Sequence, residues 1–173
     1  MDAHLAPLAA IFDLNTDLLL NILDDLSEDE SHQRLAGGGN SIAFLAAHLT
    51  DSRHYLASRL GHPLPNALAR YLADAKSIDE IRSWATLEQV RAAWISVSTH
   101  LQTALDGLTA EDLARSGLHR FPVPDTTALG LITFLAQHDS YHLGQAAFVR
   151  RQLGKPAMTY MRRSKARTPA GAA

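Results

Sequence analysis

Apolar residues recur every three to four positions in four stretches of the chain, and the alternation expected of strands is nowhere sustained. The pattern predicts an all-α fold. A first helix is expected over residues 5–26, with Leu8, Ile11, Phe12, Leu18, Leu19, Ile22 and Leu26 along one side and Asp13, Asp17 and Asp24 elsewhere, ending before the acidic Ser27-Glu28-Asp29-Glu30. Past Gly37-Gly38-Gly39, Ser41 is placed to cap a second helix reaching residue 60, where Gly61 and Pro63 stop it. Its core stripe is Ile42, Leu45, Leu49, Leu56 and Leu60. The third helix starts near Thr86, whose spacing to Gln89 fits a capping box, and runs through Val90, Trp94, Val97, Leu101 and Leu105 to about residue 108. Thr126 and Thr127 are candidate caps for the last helix, residues 128–153, which Gly154 and Pro156 terminate.

Residues 61–85 form a connection far longer than the ~2–8 residues usual between neighbouring helices of a bundle. Short helical turns are expected in it at 68–72 and 78–81. A crossover of this length permits helices two and three to run parallel.

The composition narrows the chemistry. With 173 residues, 46% of them hydrophobic, one domain can bury a core without staples. That domain is expected over residues 1–161, followed by a basic tail at 162–173 containing Arg162, Arg163, Lys165 and Arg167. There is no cysteine, so disulfides, thiolate metal sites and a cysteine nucleophile are excluded. A net charge of −2 gives no general reason to expect nucleic-acid binding. No signal-like start and no stretch of ~20 apolar residues is evident, and a cytoplasmic protein without a membrane segment is expected.

The distinctive feature lies in the last helix. At 100° per residue, His138, His142 and Gln145 fall within about 40° of Leu131, in the stripe formed with Leu135, Val149 and Leu153 and flanked by Phe134. They are therefore expected to face the interior. Two histidines one turn apart can offer two nitrogens to zinc, nickel or iron, and His48, about 60° from Leu45 on the second helix, is a candidate third ligand. The competing reading is a buried hydrogen-bond network joining these rings to Gln145, Ser52 or water.

Other candidates carry less. His54 is expected on the surface and His100 off its helix's stripe, while His4, His32, His62 and His119 lie in termini or connections, His119 being placed to line a site entrance. Asp51 and Asp139 read as solvated carboxylates, available as a general base or as partners orienting a histidine. Tyr55 and Tyr141 flank their helices, and Trp84, Trp94 and Phe121 read as packing anchors. No GxSxG, Walker, GxGxxG or HExxH pattern is present.

The segments Ser41-Ile42-Ala43-Phe44-Leu45-Ala46-Ala47-His48-Leu49 and Gln137-His138-Asp139-Ser140-Tyr141-His142-Leu143-Gly144-Gln145 resemble the DinB-like superfamily. The resemblance continues through Ser77-Ile78-Asp79-Glu80-Ile81, Phe121-Pro122-Val123 and Arg150-Arg151-Gln152-Leu153-Gly154-Lys155-Pro156. It implies a four-helix bundle of up-down-down-up type with a long crossover between helices two and three. It also implies a metal triad at His48, His138 and His142, with nickel or zinc as the usual ions. Relatives of this kind include thiol-dependent transferases and isomerases in which a low-molecular-weight thiol such as bacillithiol or mycothiol binds the metal; others are labelled damage-inducible proteins or metal-dependent hydrolases. A small-molecule substrate and a homodimer are the partners so implied. Three readings follow: a thiol-dependent S-transferase acting on small electrophiles, a metal-dependent hydrolase, and a non-catalytic metal-binding stress protein.

Overall fold

Four long helices form where the apolar period places them, each started by local chemistry. The computed structural model describes residues 2–36, 38–72, 77–118 and 120–163. Helix α1 (Ala6–Leu23) begins with Pro7 in its first turn, where the missing N–H costs nothing. The acidic run after it is not mere connection. Ser27 and Glu30 close a reciprocal capping box around a short helix α2 (Glu28–His32). Helix α3 (Ile42–Arg59) starts where Ser41 Oγ accepts the Phe44 N–H at 3.2 Å, and Gly61 leaves it at φ 91°. Among its described residues the crossover holds α4 (Ala69–Leu72) and a 3-10 turn at Ile78–Glu80. Helix α5 (Leu87–Gly107) opens with both halves of the Thr86/Gln89 capping box in place. A second unforeseen short helix, α6 (Ala110–Ala114), follows on the Thr109/Asp112 box. Helix α7 (Ala128–Gln152) is capped by Thr127. Gly130 is required there, because a Cβ would lie 2.1 Å from the Asp125 carbonyl oxygen.

Helix α1 packs against α5 and α7, and α3 packs against the same two partners. The apolar core comes in two parts. One gathers Leu18 to Leu23, Ile42 to Leu49, Ala85 to Trp94, and Leu143, Ala146 and Val149. The other gathers Leu5 to Phe12, Leu56 to Leu60, Leu101 to Leu108, and Ala128 to Ala136. All five stripe residues of α3 are buried, as are the five named on α5. Ile11 departs from expectation: it is 38% exposed, because Phe12 takes the inward position beside it. Of the described helices, α1 alone is long and apolar enough to cross a membrane, yet half of it is buried against its neighbours.

Between the two apolar clusters lies a polar layer centred on Arg53, whose side chain, like that of Asp139, is 1% exposed. Arg53 Nε and Nη2 reach Asp139 Oδ2 on α7 at 2.9 and 2.8 Å. Nη1 donates to Thr16 Oγ1 on α1 at 2.8 Å and to Ser98 Oγ on α5 at 2.6 Å, and Nη2 also donates to the Phe12 carbonyl at 3.0 Å. Trp94 stacks its ring 3.8 Å from the guanidinium carbon. One side chain on α3 thus binds all three other long helices. Asp139 was expected in solvent, and burial corrects that: its carboxyl is pushed up and Arg53 down by desolvation, while their mutual attraction opposes both shifts. Every guanidinium nitrogen of Arg53 has an acceptor, whereas Asp139 receives both of its contacts on Oδ2 and its buried Oδ1 has no hydrogen-bond partner.

The start of the crossover is held by two histidines. His54, expected outside, is buried at 7% exposure because residues 62–68 fold over it, and its Nδ1–H donates to the Leu64 carbonyl at 3.1 Å. His100 Nε2–H donates to the His62 carbonyl at 2.8 Å. Arg162 and Arg163 pair with Asp13, Asp17 and Asp24 along α1, and residues 164–173 lie outside the described chain.

Removing one member of a buried ion pair strands the other, so Asp139→Leu should cost roughly 3–5 kcal/mol in chemical denaturation. Arg53→Met combined with Asp139→Leu should cost less than the two changes added. A loss below ~0.5 kcal/mol for Asp139→Leu would place the pair among surface interactions and contradict this account.

Candidate metal centre

His48 comes from the middle of α3, and His138 and His142 from successive turns of α7. One ring nitrogen from each of the three lies within 4.8 Å of the other two. Nε2 of His48 and Nε2 of His138 are 3.1 Å apart, and the ring centroids of the three pairs are separated by 4.4 to 5.0 Å. Two nitrogens bound tetrahedrally at ~2.0–2.1 Å would sit about 3.3 Å apart, so the observed spacing fits a shared ion. Among the described residues this is the one group of three or more metal-ligating side chains so gathered, and no carboxylate joins it.

The tautomer of His142 suits the same role. His142 Nδ1–H donates to Gln145 Oε1 at 2.7 Å, which fixes the ring and leaves Nε2 with its lone pair. His138 Nδ1 is buried and has no hydrogen-bond partner, so this ring lacks the support that His142 has. Burial, followed by the neighbouring His142 and His48 rings, lowers the His138 pKa from 6.5 to about 4. Desolvation lowers that of His48 as well, with His142 adding to the effect and Asp51 opposing it. Both rings are thereby kept in the neutral form that ligates.

The three rings are half-buried rather than interior. The buried face of α7 also includes Ala128, Ile132, Ala136, Asp139, Leu143 and Ala146. Its centre therefore lies about 70° around the helix from Leu131, which moves His138, His142 and Gln145 from the middle of the stripe to its edge. A site on that edge is open to small molecules. Phe44 stacks on the His48 ring at 6.0 Å, and Phe134, itself stacked on Phe121 at 4.3 Å, lies 6.2 Å from His138. Tyr141 edges onto His142 at 5.0 Å and is 56% exposed.

The other candidates are accounted for. Gln145 is in the imidazole network, but Ser52 is not: its hydroxyl donates to the His48 backbone carbonyl at 2.9 Å. Asp51 is exposed and accepts from Asn66 at 2.9 Å. Tyr55 touches Phe121, Trp84 packs against His32, and Trp94 is core. His119 lies outside the described residues. Sequence reasoning passed over Arg53, although its place between Leu49 and Leu56 on the helical wheel, about 40° and 60° away, was a usable signal.

Acid should act on the metal-free site in a defined direction. Between pH 6.5 and about 4 the unfolded chain takes up a proton that His138 refuses in the folded protein, so stability falls as pH is lowered through that window. His138→Asn should flatten the slope, as read from urea midpoints at several pH values. An unchanged slope would show that His138 does not hold off protonation.

The comparisons with known proteins bear on family and fold. The sequence profile of the DinB superfamily matches residues 11–146. No curated protein matches the chain significantly. A solved structure of a conserved protein from Enterococcus faecalis has a TM-score of 0.72 at 18% identity, covering 90% of this chain and 99% of that one. A DinB-like protein, YjoA, from Bacillus subtilis has a TM-score of 0.60 at 16% identity, covering 94% of this chain and all of its own. At these identities the likeness speaks for the fold. The match of the profile over most of the chain assigns the family, and this chain belongs to the DinB superfamily.

Proposed function

We propose that the protein is a divalent-metal enzyme in which His48, His138 and His142 hold one ion, nickel or zinc, for thiol transfer to a small electrophile. The observation that carries this reading is the convergence of three imidazoles, two of them kept neutral by burial, with no carboxylate among the described ligand atoms so gathered. A bound divalent ion would supply Lewis acidity and lower the pKa of a thiol or water at the site. Neutral ligands leave the ion's charge uncompensated, so an anionic partner such as a thiolate is attracted. With no cysteine in the chain, that thiol must come from outside.

The protein's own groups then have definite tasks. Gln145 holds His142 in one tautomer through the Nδ1–H bond. Phe44, Phe121 and Phe134 make an aromatic border that keeps bulk water from one side of the rings. Arg53 and Asp139 hold α3 and α7 in the register that sets His48 opposite His138.

The same reading takes the chain as an up-down-down-up bundle. It is supported by the make-up of the two apolar clusters. The first joins the C-terminal parts of α1 and α7 to the N-terminal parts of α3 and α5, and the second joins the opposite ends. Helices α3 and α5 then run parallel, as the long crossover allows.

Elemental analysis tests the ligand set. Wild-type protein loaded with nickel or zinc and desalted should retain about one ion per chain, and His138→Ala with His142→Ala should retain less than about a tenth of that. Equal retention would remove the triad from consideration. Turnover of an electrophile that requires both metal and added thiol supports transfer. Ester or amide turnover that requires metal but ignores thiol would favour hydrolysis, and metal retention without turnover would favour a structural role.

A further inference from the structure

Beside the triad, the segment before α3 and the outer side of α7 leave a cleft of about 450 Å³. Leu45 forms its floor, and Leu35, Gly39, Gly144, Gln145 and Phe148 line its sides. Among the described residues no charged side chain lines it; Arg34, which donates to the Gly39 carbonyl at 2.7 Å, is itself paired with Asp79. Burying an unpaired charge there would be unfavourable, whereas an apolar group would displace water from both itself and the cleft.

Two features of α7 point to an occupant. Gly144 stands in the helix interior, where glycine is less stabilising than any residue but proline. Among the described residues, nothing beyond its own stretch of helix lies within 4 Å of the position its Cβ would take, so no neighbouring group requires the missing side chain. A larger residue would instead narrow the cleft. One turn on, Phe148 lines the cleft with 59% of its surface exposed. Gln145 links this space to the imidazoles, since it borders the cleft and accepts the His142 Nδ1–H at 2.7 Å.

We propose that this cleft binds the uncharged, mainly apolar part of the small-molecule substrate, with Gly144 keeping it open and Gln145 joining it to the metal ligands. The link to catalysis rests on the metal-enzyme reading above, but occupancy of the cleft does not depend on it. A substrate held here lies against Gln145, whose Oε1 accepts the His142 Nδ1–H, while the three histidines themselves stand outside the lining. Selectivity should follow charge first and bulk second.

Three probes of one shape and different charge test this on the full chain: benzamide, benzoate and benzamidine, titrated in amide-resolved NMR with metal content measured on the same samples. Benzamide should shift the amide signals of Gly144, Gln145 and Phe148, and the two charged probes should bind at least about tenfold more weakly. Gly144→Leu should weaken benzamide about tenfold or more while raising the melting temperature, because the helix gains a better former as the cleft fills. Gly144→Ala should also raise the melting temperature and serves as the folding control. Equal binding of the three probes, unchanged benzamide binding in Gly144→Leu, or a lower melting temperature in both variants would overturn the proposal. Benzamide binding in protein that takes up no metal would uphold the cleft and defeat the metal reading. Metal uptake without benzamide binding would defeat the cleft alone.

Discussion

The fold depends on one buried guanidinium. Arg53 is the point at which α3 is tied to α1, α5 and α7 at once, through hydroxyls, a backbone carbonyl, an indole face and the Asp139 carboxylate. A charge in a core is stabilised only where geometry and donors are complete, so wrong helix registers would leave it unmatched. That selectivity carries over to the site. His48 lies five residues before Arg53 on α3, and His138 immediately precedes Asp139 on α7. Fixing the ion pair fixes the separation of the two imidazoles.

The polar layer also divides the labour of the bundle. Apolar clusters above and below it supply the bulk of the burial, and leave the layer between them to specify how the helices meet. On one side of α7 the layer is sealed by Arg53 and Asp139. On the adjoining side the helix presents His138 and His142 at the boundary of the core, where desolvation is strong enough to keep His138 neutral and exposure is sufficient for a ligand to arrive. A fully interior triad would bind an ion without access, and a fully exposed one would be protonated more readily.

Much of this was legible in the residue pattern, for reasons that can be named. The four long helices show because α3 and α5 carry complete stripes and because Ser41, Thr86 and Thr127 cap where the periods begin. The triad shows because an i, i+4 histidine pair interrupts an apolar run. The short helices α2 and α6 were missed although Ser27/Glu30 and Thr109/Asp112 carry capping spacing, since neither is followed by an apolar period. Asp139 was misplaced because the stripe of α7 was drawn through Leu131, Leu135, Val149 and Leu153. Ile132, Leu143 and Ala146 shift its centre, making Asp139 interior and the histidines peripheral. His54 was misread because its cover comes from the crossover, a tertiary contact with no signature in helical periodicity.

The central claim is that three imidazoles on two helices hold one cation. Crystals grown with zinc and measured on both sides of its absorption edge test it without reference to any activity. The account predicts a single anomalous peak within about 2.0–2.1 Å of a ring nitrogen from each of His48, His138 and His142. A peak elsewhere, or three rings bonded only to one another and to Gln145 with no peak between them, would contradict it.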